Sequence, residues 1–206
     1  VLVESALSEC RMQITGGKKT VLVDVGTGSG CIPIAILKNL HTYLPASARR
    51  WQAGTLTHLH TFATDISKPA LQISKINAKK HHVKINFLHS NLLTPFLKPY
   101  NLIPKTYNLI ITANLPYLTP KQYKNSPSIQ HEPKSALVAG KTGLELYEKL
   151  LLQIKDFTAY GLRLTAFFEI DPSQSKPIAK LIKKYLPNAK VKIKKDLSGR
   201  DRVVTF

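Results

Sequence analysis

The chain has 206 residues, 43% of them hydrophobic, and carries 30 Lys and Arg against 12 Asp and Glu, a formal net charge of +18. That length suits one α/β domain with a sizeable core and is too short for two full ones, and no apolar run is long enough to cross a bilayer. So basic a chain favours loose contact with polyanions, nucleic acid or a ribosomal assembly among them, although its lysines are scattered and no aromatic-rich recognition motif accompanies them; weak contact through a solvated basic surface is expected.

The chain opens on Val1 rather than Met and is expected to be a fragment. Its first residues lack the basic flank and cleavage site of a signal peptide, which points to the cytoplasm. Thr20 to Val25 is a short apolar run predicted as a strand, broken by Gly26-Thr27-Gly28-Ser29-Gly30. A helix follows from Cys31 to about Leu40, with Ile32, Ala35, Ile36 and Leu40 on one face. His41 to Thr57 is too long for a simple connection and holds Arg49, Arg50 and Trp51. A second strand covers Leu59 to Thr64 and ends at Asp65; Ser67 and Pro69 then open a helix from Lys68 to about Lys80. Ile85 to Leu88 and Tyr107 to Ala113 are further strands, and Leu118 to Thr142 is another long connection. Tyr147, Leu150, Leu151 and Ile154 recur at helical spacing within a helix over Gly143 to Phe157. Leu162 to Ile170 is nearly all apolar, as in a strand buried on both faces. An amphipathic helix from Ser173 to Leu186 precedes two last strands, Ala189 to Ile193 and Arg202 to Phe206. Cys10 and Cys31, the only cysteines, are expected as two buried thiols.

Alternating strands and helices predict a Rossmann-like α/β fold, a mostly parallel seven-stranded sheet with one antiparallel strand near the C-terminus, since the last two strands are joined by too short a loop to run parallel. The pattern Asp24-Val25-Gly26-Thr27-Gly28-Ser29-Gly30 lets the backbone turn sharply and approach a ligand closely. It fits G-x-G-x-G rather than the dinucleotide G-x-G-x-x-G, which disfavours a pyrophosphate and suits the amino acid end of S-adenosylmethionine, with Asp24 toward the donor's ammonium. Asp65, at a strand end, can hold two ribose hydroxyls; the competing account is an acidic charge favoured at a helix N-terminus. Asn91 and Leu92 end the third strand and could meet the adenine edge and face, although Asn after a strand is also ordinary turn chemistry. Asn114-Leu115-Pro116-Tyr117 follows a strand directly. The Asn114 oxygen and the Leu115 carbonyl can accept the two N–H bonds of a planar NH2 group, with Tyr117 behind it. Metal chemistry has little support: His58 with His60 and the pair His81-His82 lack a third ligand at a suitable spacing.

Together these segments resemble the HemK/PrmC family of protein-(glutamine) methyltransferases, which modify peptide chain release factors. Residues 24–32 are similar to that family's donor loop, 63–67 to its ribose segment, and Asn114 to Tyr117 to its N-P-P-Y. Glu132-Pro133, Ala136-Leu137, Gly140, Gly143-Leu144 and Tyr147 resemble a further family stretch, and Lys195 to Val204 its C-terminal signature. The resemblance implies methyl transfer from S-adenosylmethionine to a glutamine amide nitrogen of a release factor, a soluble cytoplasmic partner. Three departures stand out. Leu115 replaces the first Pro, Asn91 stands where Asp is common, and the family's small N-terminal helical docking domain is not in the chain, leaving 1–206 as the catalytic domain. The same grip would fit a flipped base, so methylation of an exocyclic amine of rRNA or DNA is the alternative, and donor binding without catalysis is a third reading.

Overall fold

In the computed structural model, residues 1–43, 51–52, 55–56, 58–97, 103–129, 131–159 and 161–206 are described. Arg49 and Arg50 lie outside them. Helix α1 (Leu2–Thr15) comes first, then strand β1 (Thr20–Val25) and helix α2 (Cys31–Tyr43). A two-stranded ribbon, β2 (Trp51–Gln52) with β3 (Thr55–Leu56), precedes β4 (Leu59–Asp65), α3 (Lys68–Lys80) and β5 (Asn86–His89). Next come β6 (Asn108–Ala113), the short helices α4 (Pro120–Lys124) and α5 (Lys134–Leu137), and α6 (Glu145–Ala159). β7 (Arg163–Glu169), α7 (Ser175–Tyr185), β8 (Lys192–Lys195) and β9 (Asp201–Thr205) complete the chain.

The main sheet has seven strands in the order β5-β4-β1-β6-β7-β9-β8. β9 runs antiparallel to both neighbours, and the other pairings are parallel. This is the doubly wound sheet with one reversed C-terminal strand that the alternation predicts. β1 is buried along its whole length because it lies in the middle. Strand alternation sends Val21, Val23 and Val25 to one face, against Tyr147, Leu150, Ile154 and Phe157 of α6 and Ile178 and Ile182 of α7. Leu22 and Ile110 point the other way, onto Leu2, Ala6, Cys10 and Ile14 of α1 and Ile36, Leu37 and Leu40 of α2.

Several expectations are corrected. α1 was not anticipated, although Leu2, Ala6, Cys10 and Ile14 recur every fourth residue and all four are buried. β7 is not buried throughout: Arg163 is exposed and only Ala166, Phe167 and Phe168 are buried. β9 pairs with β7 only from Phe167 to Glu169, so the start of β7 has a strand neighbour on one side alone. Cys10 is buried, and burial pushes its thiol pKa up, but Cys31 is exposed at the start of α2. The helix expected over Ser173 to Leu186 is a single 3-10 turn, Pro172–Gln174, followed by α7. Among the described residues no helix is long and apolar enough to cross a membrane.

Candidate active site

Strand order reverses between β1 and β6, and in open α/β sheets ligands bind outside the carboxyl ends of strands at such a point. Register places the sequence candidates there side by side. Val25 pairs with Thr64 on β4 and with Ala113 on β6, and Asp65 pairs with His89 on β5. The next residues are Gly26, Asp65, Ser90 and Asn114, so the glycine loop, the acidic residue, the Asn91 turn and the Asn114 segment share one edge.

The glycine loop is tied to β4 from below. Gly26 and Thr27 donate to the Thr64 carbonyl at 2.9 and 3.0 Å, and Gly28 donates to Asp65 Oδ2 at 2.8 Å. Asp65 Oδ1 accepts from Ser67 at 2.8 Å. Both carboxylate oxygens of Asp65 thus brace the backbone, and each keeps acceptor capacity for an approaching hydroxyl. Ser29, exposed, accepts from Asn77 Nδ2 at 2.9 Å through its carbonyl, anchoring the loop to α3. Gly26 needs its hydrogen: φ is +69°, and a Cβ would lie 2.7 Å from Leu115 Cδ2. Leu115, which stands where the resembled motif has Pro, therefore packs its buried side chain onto the glycine loop.

Asp24 sits under this loop, fully buried, with Oδ1 accepting from Thr112 Oγ1 at 2.6 Å. Burial pushes its carboxyl pKa up from 3.8 to about 6, against the lowering effect of the Thr112 and Thr27 hydroxyls. Asp24 Oδ2 and Thr27 Oγ1 are both buried and make no well-formed hydrogen bond among the described residues, although the Thr27 hydroxyl is close enough to favour the ionised carboxyl. Around Gly28, where φ is +56°, a Cβ would meet nothing within 4 Å. A buried carboxylate oxygen without a well-formed hydrogen bond, beneath an open backbone turn, fits a ligand that brings a cationic N–H group.

At the other side of the edge, Asn91 is exposed, while Leu92 is buried in the core with φ at +56°, an unusual value for a branched side chain. Sequence reasoning passed over Ile66, 70% exposed directly after Asp65, whose carbonyl lies 2.9 Å from His89 Nε2. An apolar residue following the strand-end acid was the available signal.

Asn114 is exposed at the end of β6, and Leu115 beside it is buried. The segment is held from below by Tyr147 of α6. Its fully buried hydroxyl accepts from the Leu115 N–H at 3.3 Å and donates to the Glu169 carbonyl. Burial pushes the Tyr147 hydroxyl pKa well up, so it stays protonated and able to donate. Tyr117 is half-buried; burial raises its pKa and the Glu169 carboxylate adds to this, with Arg202 acting against both. Arg202 is held in turn by Asp196 Oδ2 at 3.4 Å, while Asp196 Oδ1 accepts from Ser198 and Arg200 at 2.9 and 3.0 Å to shape the β8–β9 turn. The long connection after Tyr117 folds back: Leu118 donates to Leu137 and Ala139 donates to Leu118.

The sheet order with its one reversed strand is that of the class I S-adenosylmethionine-dependent methyltransferase fold. Among solved structures the chain is similar to the human hMettl16 catalytic domain in complex with an RNA hairpin, at TM-score 0.59 and 16% identity over 100% of this chain and 69% of that one. It is also similar to a putative class I S-adenosylmethionine-dependent methyltransferase from Listeria monocytogenes, at TM-score 0.54 and 16% identity over 97% of this chain and 56% of that one. In sequence the chain is 30% identical over 204 residues to the release factor glutamine methyltransferase of Bacillus subtilis, covering 96% of this chain and 62% of the relative. To the enzyme of that description from Staphylococcus aureus it is 32% identical over 187 residues, 90% of this chain and 59% of the relative. The chain spans about three fifths of the length of those relatives and is similar to them over nearly all of its own residues. No family profile matches it.

Proposed function

We propose that residues 1–206 form a catalytic domain that transfers a methyl group from S-adenosylmethionine to the side-chain amide nitrogen of a glutamine in a peptide chain release factor. The observation that carries this is the strand register, which sets the Gly26 loop beside Asn114 at the reversal point of the sheet. On the donor side, Asp24 Oδ2 receives the ammonium, Gly26, Thr27, Gly28, Ser29 and Gly30 give the close backbone approach, and Asp65 accepts from the ribose hydroxyls. Ile66 and Asn91 flank the adenine, with Leu92 supporting the turn from the core. When bound, the donor supplies a methyl on a positively charged sulfonium.

The chain's contribution to the chemistry is orientation. An amide nitrogen is a weak nucleophile because its lone pair is shared with the carbonyl. The Asn114 oxygen and the Leu115 carbonyl hold its two N–H bonds, Pro116 restricts the backbone at Leu115, and Tyr117 packs against the amide plane. With both protons held, the lone pair is aimed at the methyl, and the same acceptors stabilise the positive charge that grows on nitrogen. The nitrogen–carbon bond forms as the carbon–sulfur bond breaks, and the surplus proton then leaves the nitrogen. No strong base is needed beforehand; alignment of this kind contributes up to about 7–11 kcal/mol in favourable systems.

Similarity to release factor glutamine methyltransferases supports glutamine over a nucleobase as acceptor, and the cytoplasm, where release factors act, as the location. The excess of Lys and Arg supports only weak contact with nucleic acid or the ribosome. The test is incubation with labelled S-adenosylmethionine and, separately, a release factor and stripped RNA or DNA. Label on a release-factor glutamine is expected; label on nucleic acid alone would reverse the reading.

A further inference from the structure

Gln174 closes the 3-10 turn between β7 and α7, and only 5% of its surface is exposed. Every polar atom of its amide is engaged. Oε1 accepts from the Asp171 N–H at 3.1 Å, and Nε2 donates to the Tyr117 carbonyl at 2.9 Å and to the Gly143 carbonyl at 3.2 Å. The turn itself is fixed, because the Asp171 carboxylate accepts from the Ser173 N–H at 2.9 Å. The two carbonyls belong to segments far apart in the chain, one ending the Asn114–Tyr117 stretch and the other opening α6. Gly143 completes the joint: φ is +77°, and a Cβ there would lie 2.2 Å from the Tyr117 carbonyl oxygen. Backbone meets backbone at this point, and the Gln174 NH2 group sits between two oxygens that would otherwise face each other unpaired.

We propose that Gln174 is a positioning residue for the acceptor grip. It pins the far end of Asn114–Tyr117 through the Tyr117 carbonyl, as Tyr147 pins the near end through the Leu115 N–H. The inference rests on the acceptor role proposed for that segment. It requires a donor at this position and not merely a side chain of this size. A glutamate has the same shape and can still accept from Asp171, but when ionised it turns an oxygen toward two carbonyl oxygens. When protonated, its O–H can donate to one of them. Gln174→Glu therefore carries its own signature: the protonated form resembles the wild type, so activity relative to wild type rises as pH falls. The titratable and charged groups around this joint are Tyr117, Glu169 on β7, Asp171 on the turn, Arg202 on β9 and Glu145 at the start of α6. All are shared by both proteins and cancel in the ratio.

The experiment compares wild type, Gln174→Glu and Gln174→Met by three readouts: turnover on a release factor from pH 8 to pH 6, S-adenosylmethionine affinity, and amide hydrogen exchange of the folded proteins. Expected are a fall in turnover of about tenfold or more at pH 8 in both variants, donor affinity within about twofold, and a relative activity that climbs toward low pH for Glu but stays flat for Met. Exchange across residues 113–119 should quicken in both variants while exchange across 20–30 is unchanged. Turnover near wild type, a flat Glu profile, or unchanged exchange at 113–119 would overturn the proposal. If wild type methylates no glutamine, the functional reading fails, and the exchange measurement still decides whether Gln174 holds this segment.

Discussion

Replacing Asp24 by Asn tests the electrostatics at the base of the donor site. The carboxyl is fully buried, its pKa rises from 3.8 to about 6, and one oxygen makes no well-formed hydrogen bond among the described residues. A folded-state pKa above the unfolded one means that the folded protein binds this proton more tightly. The stabilising contribution is then whole below about pH 3.8 and is lost as pH rises through 6. A rise of roughly two units corresponds to about 3 kcal/mol over the whole window. About 1.4 kcal/mol of this falls between pH 8 and pH 5. Asn keeps the acceptor for Thr112 and cannot ionise, so its own burial cost is the same at every pH in that range. Denaturant unfolding of both proteins at pH 8 and pH 5 should show the stability difference shifting by about 1.4 kcal/mol in favour of Asn at the higher pH. An identical difference at both values would refute the argument, because it would mean that Asp24 is already ionised in the folded state throughout this interval.

The same Asp24→Asn variant should bind S-adenosylmethionine about tenfold or more weakly by calorimetry, since the ammonium loses its charged partner; unchanged affinity would remove Asp24 from the donor site. Asn114→Ala is expected to lower turnover by about a hundredfold or more while donor affinity stays within about twofold, and near-normal turnover would end its role in the grip. Tyr147→Phe leaves the Leu115 N–H without its partner and should cost about 1–3 kcal/mol in denaturant unfolding, with slower turnover and normal donor affinity. Gly143→Ala forces a side chain to within 2.2 Å of the Tyr117 carbonyl at a positive φ, so a loss of about 2 kcal/mol or more is expected; a stability equal to wild type would contradict the close packing described there.

Much of the proposed donor side has a placement legible in the sequence because the signals that set it are local. A strand running into Gly26-Thr27-Gly28-Ser29-Gly30, and another ending at Asp65, already place both at the same end of a parallel sheet. Asn114 follows for the same reason, being the residue after β6. What the sequence does not disclose is how these segments are held. Gln174 lies 57 residues from Tyr117 and Tyr147 lies 32 from Leu115, so neither bond leaves a periodic trace. The substitution at Leu115 reads as a lost proline until the fold shows its side chain lodged against Gly26. The motif-like runs after Gly140 and at Asp196 to Arg202 likewise gain a physical meaning only in three dimensions. One keeps Gly143 free of a side chain beside Tyr117, and the other shapes a turn that carries Arg202 toward the same ring. The exposure of Cys31 and of the start of β7 leaves no trace in the sequence, because burial there depends on which neighbours the sheet supplies.

The proposed reaction requires Asn114 to Tyr117 to present a glutamine amide to the donor. Its most direct test is mass mapping of a release factor treated with this protein and S-adenosylmethionine, with the Asn114→Ala variant in parallel. The account predicts one added methyl group on the side-chain nitrogen of a single glutamine, absent with the variant. A methyl group found instead on another residue or on nucleic acid, or an Asn114→Ala protein that modifies the glutamine as fast as wild type, would contradict it.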